Sequence, residues 1–359
     1  MIHKISNRIE RELLRNSRYR WYFFTPRISR ETMQPLLCRY GMFAAGSHYK
    51  KASGEGGKYA PVSRAQLRAN SNLMGKRVVY LCDGQTIYGG LADRFKGIIS
   101  LYAICQELGY DFRIHFVSPC RLEDYLVPAT YDWRISADDL HYDSAAMLVL
   151  ENTDDAHYQT RKQAAWLRNR LEEGPAEIHV ITNSNYAYEL NYAGLFKQLF
   201  RPSPLLQSAL EKKLAALSGH YVSVSARFLT LLGDFRETSG FTVLPDNEAE
   251  DLIRRTLEQV ERIHLQHPDS TLLVNSDSTR FLSHAAQLPY VHVVEGDVAH
   301  TDLMEEEGAE QMHLKLFLDF LLISQADYVY LLRTGLMRES GYPYAASRIE
   351  NKCFKVVEF

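Results

Sequence analysis

The stretch from Val78 to Phe116 constrains this chain more than any other. Val78-Val-Tyr-Leu-Cys82 is a short apolar run of the kind that forms a strand buried on both faces. A turn at Asp83-Gly84 and a glycine pair at Gly89-Gly90 follow. From Ala92 the spacing turns helical, with Phe95, Ile98, Ile99, Tyr102 and Leu108 on one face and Gly109 placed to end the helix as a C′ residue. Phe112-Arg-Ile-His-Phe116 then alternates as a second strand. This strand–Gly loop–helix–strand unit is the βαβ signature of a parallel sheet.

The same grammar continues to the end of the chain. Further strands are predicted at Ala146–Leu150, Glu177–Thr182, Tyr221–Ala226, Thr271–Asn275, Tyr290–Val294 and Tyr328–Leu332, with helices at about 159–173, 247–266 and 309–324. Phe200-Arg-Pro-Ser-Pro204 interrupts the series, and a helical segment follows to about Leu217. The expected fold is α/β, with two Rossmann-like lobes and a central cleft. Residues 76–217 would form the first lobe and 218–359 the second, behind a basic N-terminal extension over residues 1–75. At about 150 residues per domain, 359 residues accommodate two lobes and an appendage.

Composition narrows the setting. With 46% hydrophobic and 24% charged residues the chain can bury a core unaided by disulfides. Its five cysteines (38, 82, 105, 120 and 353) form no Cys-x-x-Cys pair, and Cys82 and Cys105 lie in apolar segments, which favours reduced thiols and a cytoplasmic setting. The N-terminus lacks an apolar signal-peptide core, and the most apolar stretch, Leu314 to Ile323, is broken by Lys315 and Asp319. The net charge of −3 hides an asymmetry: residues 1–75 hold about 14 Lys and Arg against about 4 acids, with Trp21-Tyr22-Phe23-Phe24 among them. Two readings of this arm stand open, a peripheral contact with anionic lipid at the inner face of the membrane, or a charged flap over the acidic body. Nucleic acid is disfavoured, because no reader motif accompanies the charge.

Four segments carry candidate chemistry, each with a structural alternative. The Gly89-Gly90 loop, with Asp93, Arg94 and Lys96 in the turns beyond it, is either a helix-end anion cradle or a packing turn. Arg227 closes Tyr221-Val-Ser-Val-Ser-Ala-Arg227 at the carboxyl end of a predicted strand, where it either grips a phosphate or pairs with Asp234 or a nearby Glu. Thr271-Leu-Leu-Val-Asn-Ser-Asp277-Ser-Thr-Arg280 carries polar residues at a strand's carboxyl end that either recognise a nucleotide or cap the next helix. Tyr328-Val-Tyr-Leu-Leu-Arg333 leads to Ser340-Gly-Tyr-Pro-Tyr-Ala-Ala346, a diphosphate-binding turn or a capped helix with Pro343 in its first turn. The Gly-x-Gly-x-x-Gly and Walker A fingerprints, His-Glu-x-x-His, Gly-x-Ser-x-Gly and the kinase motifs are all absent. There is no Asp-x-Asp triplet for a carboxylate-held metal, and the 13 histidines are scattered.

Taken in order, these segments resemble the fucosyltransferase superfamily of GT-B arrangement, which includes the nodulation, plant cell-wall, core α1,6 and protein O-fucosyltransferases. Gly90-Leu-Ala-Asp-Arg94 is similar to the family's first-lobe loop, Ser276-Asp277-Ser278 to its Thr/Ser-Asp-Ser/Asp segment, and Ser340–Ala346 to its final motif. Val222–Arg227 is similar to the strand ending in His-x-Arg, with Ser225 standing where the family has His. The resemblance spans residues 78–348 and implies an inverting, metal-independent transfer from GDP-fucose, with no cofactor, to a glycan or lipid-linked oligosaccharide, as in polysaccharide biosynthesis. It implies that Arg227 holds the β-phosphate, that Asp277 and Ser340, Gly341 and Tyr342 contact guanosine or diphosphate, and that Gly89, Gly90 and Arg94 face the cleft from the acceptor lobe. Ser225 would stand beside the donor sugar. The resemblance identifies no general base; Asp93 is a candidate by position alone, with pairing to Arg94 or capping of the helix at Ala92 as its alternatives. The departure at Ser225 leaves two alternatives: another sugar nucleotide as donor, or a catalytically inactive relative that binds nucleotide or glycan.

Overall fold

The computed structural model describes residues 75–84, 88–140, 147–152, 160–184, 186, 191–217, 219–235, 242–298, 301 and 309–359. The basic arm with its aromatic cluster, Cys38 and the Gly-rich stretch 48–60 lie outside the described residues.

The first sheet is four-stranded and parallel, with β1 (Arg77–Cys82), β2 (Asp111–Phe116), β4 (Met147–Asn152) and β5 (Glu177–Thr182) in the order β2-β1-β5-β4. Between β1 and β2 runs α1 (Leu91–Leu108), ended by Gly109 at φ 69°. Between β4 and β5 runs α2 (Thr160–Glu173). A short antiparallel pair, β3 (Leu126–Pro128) with β6 (Phe200–Pro202), flanks α3 (Tyr192–Leu199), and α4 (Pro204–Ala216) follows behind its Ser203 cap. The second sheet, again all parallel, has the order β11-β10-β7-β8-β9, from β7 (Tyr221–Ala226), β8 (Thr271–Ser276), β9 (Val291–His292), β10 (Tyr328–Arg333) and β11 (Cys353–Glu358). Its helices are α5 (Asp246–Gln266), α6 (Thr279–Ala285), α7 (Glu310–Gln325) and α8 (Gly341–Ile349).

Helix α1 is buried on nearly all sides, not on the single face its apolar spacing predicts. The first sheet covers one side, and α8 and α7, which come from the far end of the chain, cover the other. Phe95 sits at that junction, with ring centroids 5.4 Å from Phe196, 5.5 Å from Phe200 and 5.2 Å from Phe320. One continuous core therefore joins Val78, Tyr80 and Phe112 of the first sheet to Tyr221, Leu273 and Val329 of the second. A separate core lies on the second sheet's other face, between Val222, Val224, Leu272 and Val274 and helices α5 and α6.

Four strands differ from the pattern read in the sequence. β3 and β6 have no counterpart there, because three residues are too few to show a period, and β6 falls where Phe200–Pro204 reads as a break. The predicted strand Tyr290–Val294 pairs only through Val291 and His292, because the Val294 carbonyl is taken by Lys315 Nζ at 2.8 Å and the chain then turns at Gly296, φ 125°. Strand β11 has no counterpart among the predicted strands. It is a sheet edge whose side chains are exposed or half-buried, so it lacks the buried apolar run that marks the central strands.

The tightest backbone approach is between α1 and β5. A Cβ added to Gly97 would lie 2.4 Å from the Thr182 carbonyl oxygen, so the helix can seat at this height only with glycine there. Gly97→Ala is expected to cost at least about 2 kcal/mol through forced separation of helix and strand. Gly90→Ala, whose Cβ meets nothing within 4 Å, serves as the control and should stay near wild type. Urea denaturation of the two variants checks the contrast.

Candidate functional site

At the carboxyl edge of the first sheet, β1 leads into Asp83, whose carboxylate and backbone N–H both engage the Tyr88 hydroxyl, at 3.0 and 3.1 Å. Gly89 takes φ 78°, and Asp93 Oδ2 lies only 3.0 Å from where a Cβ would stand, so this glycine is required by conformation and by space. Arg94 is 1% exposed. Its guanidinium donates to the Gly89 carbonyl (3.0 Å) and the Ser118 carbonyl (2.6 Å), and lies over the rings of Tyr88 and Phe116 at 5.3 and 5.2 Å. That buried charge is met by carbonyls and aromatic faces, and it binds the loop after β1 to the loop after β2. Asp93 pairs with Lys96 (2.8 Å), not with Arg94, and its side chain stays 41% exposed at the start of α1. Gly90 is the N-cap of α1 and supplies no side-chain bond, which leaves the first-turn N–H groups of Leu91 and Ala92 facing out of the helix end.

The second sheet presents its carboxyl edge through three adjacent strands. Strand β7 leads into Arg227, β8 into Asp277, and β10 through Thr334 to Ser340 and the start of α8. Asp277 accepts from the backbone N–H of Phe228 at 2.8 Å and of Leu229 at 2.9 Å, and its carboxylate lies 3.9 Å from Arg227 Nε. Both carboxylate oxygens are therefore used to hold the turn after Arg227, in which Leu229 adopts φ 54°. Burial pushes the Asp277 carboxyl up to about 6 from its ordinary 3.8, against the pull of those two N–H groups and of Arg227. Arg227 itself keeps 29% of its side chain exposed at the sheet edge.

Of the two alternatives for the Thr271–Arg280 segment, capping falls to Ser278. Ser278 caps α6 through Phe281 N–H (3.0 Å) and donates to Asp234, whose carboxylate also accepts from Arg280 N–H at 2.7 Å. Asp234 is thus spent on the α6 terminus and Arg227 faces Asp277 instead. Ser340 is 7% exposed and precedes α8 without a side-chain cap bond, and a Cβ on Gly341 would meet nothing within 4 Å. Tyr342 points inward, its ring 5.1 Å from Phe320 and its hydroxyl donating to the Leu316 carbonyl. Ser225 stands in register with Asn275. Ser225 Oγ and Asn275 Oδ1 are both buried and have no hydrogen-bond partner among the described residues.

The second sheet thus brings Arg227, Asp277, Ser225, Ser340 and Gly341 to one edge, while Gly89, Gly90, Asp93 and Arg94 share the corresponding edge of the first. Asn275, Lys315 and Asp319 were not singled out from the sequence as site residues. Asn275 had one legible signal, a polar residue two positions before Asp277 and so on the same strand face. Among the described residues no group of three or more His, Cys, Asp or Glu side chains could hold a metal ion, and no helix is long and apolar enough to cross a membrane.

No family model matches the sequence, and no curated protein matches it either. Solved structures do match. NodZ α-1,6-fucosyltransferase soaked with GDP-fucose superposes with a TM-score of 0.52 over 79% of this chain and 95% of that one, at 11% identity. NodZ from Bradyrhizobium gives 0.52 over 79% and 94%, at 12% identity. Arabidopsis thaliana FUT1 in complex with GDP gives 0.50 over 86% and 76%, also at 12% identity. This is the GT-B fold of the fucosyltransferases. Within that fucosyltransferase fold, the edge that carries Arg227 belongs to the second of two parallel sheets, and the shared core around Phe95 holds the two together.

Because Asp277 binds its proton more tightly in the folded chain than in the unfolded one, its ionisation opposes folding. Stability is expected to fall as pH rises from 3.8 to about 6, and Asp277→Asn should flatten that part of the profile. Melting temperatures of both proteins across this range test the sign.

Proposed function

We propose that this protein transfers fucose from GDP-fucose to a hydroxyl of a glycan or glycolipid acceptor, with inversion and without a metal. The observation that carries the reading is that Arg227 follows β7 while β10, the neighbouring strand of the same parallel sheet, leads on to the start of α8. The crevice at such an edge is where open α/β sheets take ligands. The likeness in fold to structures bound to GDP or soaked with GDP-fucose supports the choice of nucleotide.

In this reading the acceptor oxygen attacks the anomeric carbon as the bond from that carbon to the β-phosphate oxygen breaks. The acceptor proton passes to a carboxylate, for which Asp93 on the facing edge is the proposed base. Negative charge then grows on the departing diphosphate. Arg227 meets it with a planar two-donor fork, and the first N–H groups of α8, at Gly341 and Tyr342, add a positive helix end. Asp277 acts indirectly: it holds the Phe228–Leu229 turn and so fixes where Arg227 points. Arg94 does the same for the Gly89–Gly90 loop on the acceptor side. Ser225 and Asn275, with buried polar atoms lacking partners, support a donor pocket able to read a sugar hydroxyl, and they favour a second reading in which a different nucleotide sugar is used.

Arg227→Ala should lower turnover by about 10²-fold or more, the usual loss when one charge-stabilising donor is removed from a water-poor site. Steady-state rates with GDP-fucose measure this, and wild-type rates in the variant would overturn the assignment. A thermal-shift screen with GDP, UDP, ADP and CMP separates the two donor readings, since only a ligand that binds the native state raises its melting point. For the acceptor we propose a lipid-linked oligosaccharide approached at the membrane surface, a reading supported by the basic, aromatic composition of residues 1–75. Co-sedimentation with anionic liposomes should be lost when residues 1–60 are deleted; unchanged binding would sink it.

A further inference from the structure

Lys315 and Asp319 interrupt the most apolar stretch of the sequence, and the structure buries both: their side chains are 8% and 14% exposed. Lys315 Nζ donates to Asp319 Oδ2 and to the Val294 carbonyl, each at 2.8 Å. The second oxygen of Asp319 is buried with no hydrogen-bond partner among the described residues. A pair this poorly completed stabilises a fold less than apolar side chains of the same volume would, so stability alone does not account for it.

Its placement offers an account. Val294 belongs to the segment that leaves β9, and the chain turns at Gly296, where an added Cβ would stand 3.1 Å from Lys315 Cδ. The next residue of α7, Leu316, accepts through its carbonyl from the Tyr342 hydroxyl, and Phe320, one turn on, packs against the Tyr342 ring. A single turn of α7 therefore pins two segments, the exit from β9 and the first turn of α8. In the sheet order β10-β7-β8-β9 those segments flank the ends of β7 and β8, which carry Arg227 and Asp277. The two outer segments therefore bound the edge on which those residues stand.

We infer that Lys315, held by Asp319, is a positioning residue for the nucleotide side of the cleft, fixing the β9 exit against the α8 N-terminus across Arg227. This rests on the proposed nucleotide reading for its consequence, though its geometric part does not. The variant Lys315→Met/Asp319→Leu removes both charges together and keeps the volume. It is expected to melt within about 3 °C of wild type or above it. Amide exchange at 294–298 and 341–345 should quicken by about tenfold in this variant, and the dissociation constant for GDP, read by calorimetry, should rise by about tenfold. Asp319→Asn keeps the side-chain shape and weakens the hold on Lys315; it should loosen the same two segments to a smaller extent, and it decides the matter if the double variant does not fold. Unchanged exchange in both segments would overturn the inference, as would faster exchange with GDP affinity within about twofold of wild type. If wild type itself binds no GDP, the proposed function fails, and the exchange comparison still decides whether Lys315 ties the two segments together.

Discussion

Phe95 is the contact on which the rest of this molecule depends. It lies on the helix of the first βαβ unit, yet the rings around it come from α3, β6 and α7. Through it the first sheet's helix layer and the second sheet's helix layer become one core. Apolar side chains from two sheets share one interior there, so the core ties the two sheets to each other. The close approach of Gly97 to Thr182 serves the same end, because a helix lifted off β5 would carry Phe95 with it.

Upon that frame, two charged side chains work mainly on the backbone. Arg94 crosslinks the loops that leave β1 and β2, and Asp277 crosslinks the turn that leaves β7. A buried ion needs compensating partners, and main-chain groups of neighbouring loops are the partners available at a strand's end. Residues that look like ligand contacts in a linear motif can therefore be the ones that shape the loops, while the contact falls to a neighbour. In the proposed function that neighbour is Arg227, partly exposed and next to Asp277.

Much of the architecture was legible because parallel strands buried on both faces leave unbroken apolar runs. Val78–Cys82 lies within an observed strand for that reason. Glu177–Thr182 and Tyr221–Ala226 coincide with observed strands through their β-branched residues, although polar side chains interrupt both. The edge strands were harder. β9 is cut short by a side chain distant in sequence, and β11 is exposed enough to look like a tail. The full burial of α1 was also illegible, since an apolar face declares one neighbour and cannot declare a second that arrives more than two hundred residues later. Of the candidate site, the motifs could be placed at strand ends from their order, but the partner of Arg227 and the register of Ser225 with Asn275 depend on which strands lie side by side.

The amino-acid sequence by itself determined the strand–helix alternation, the parallel sheets and the glycines at positive φ, because these follow from local sterics and from the period of apolar side chains. It also carried the motif order that resembles the fucosyltransferases. Only the tertiary structure decided the strand order β11-β10-β7-β8-β9, and with it the meeting of Arg227, Asp277 and the start of α8. It alone decided that Lys315 and Asp319, read along the chain as breaks in an apolar run, face each other inside it. The physical reason is the same in each case: side-chain period and turn chemistry act within a few residues, whereas burial and charge pairing depend on which distant segments compete for the same interior.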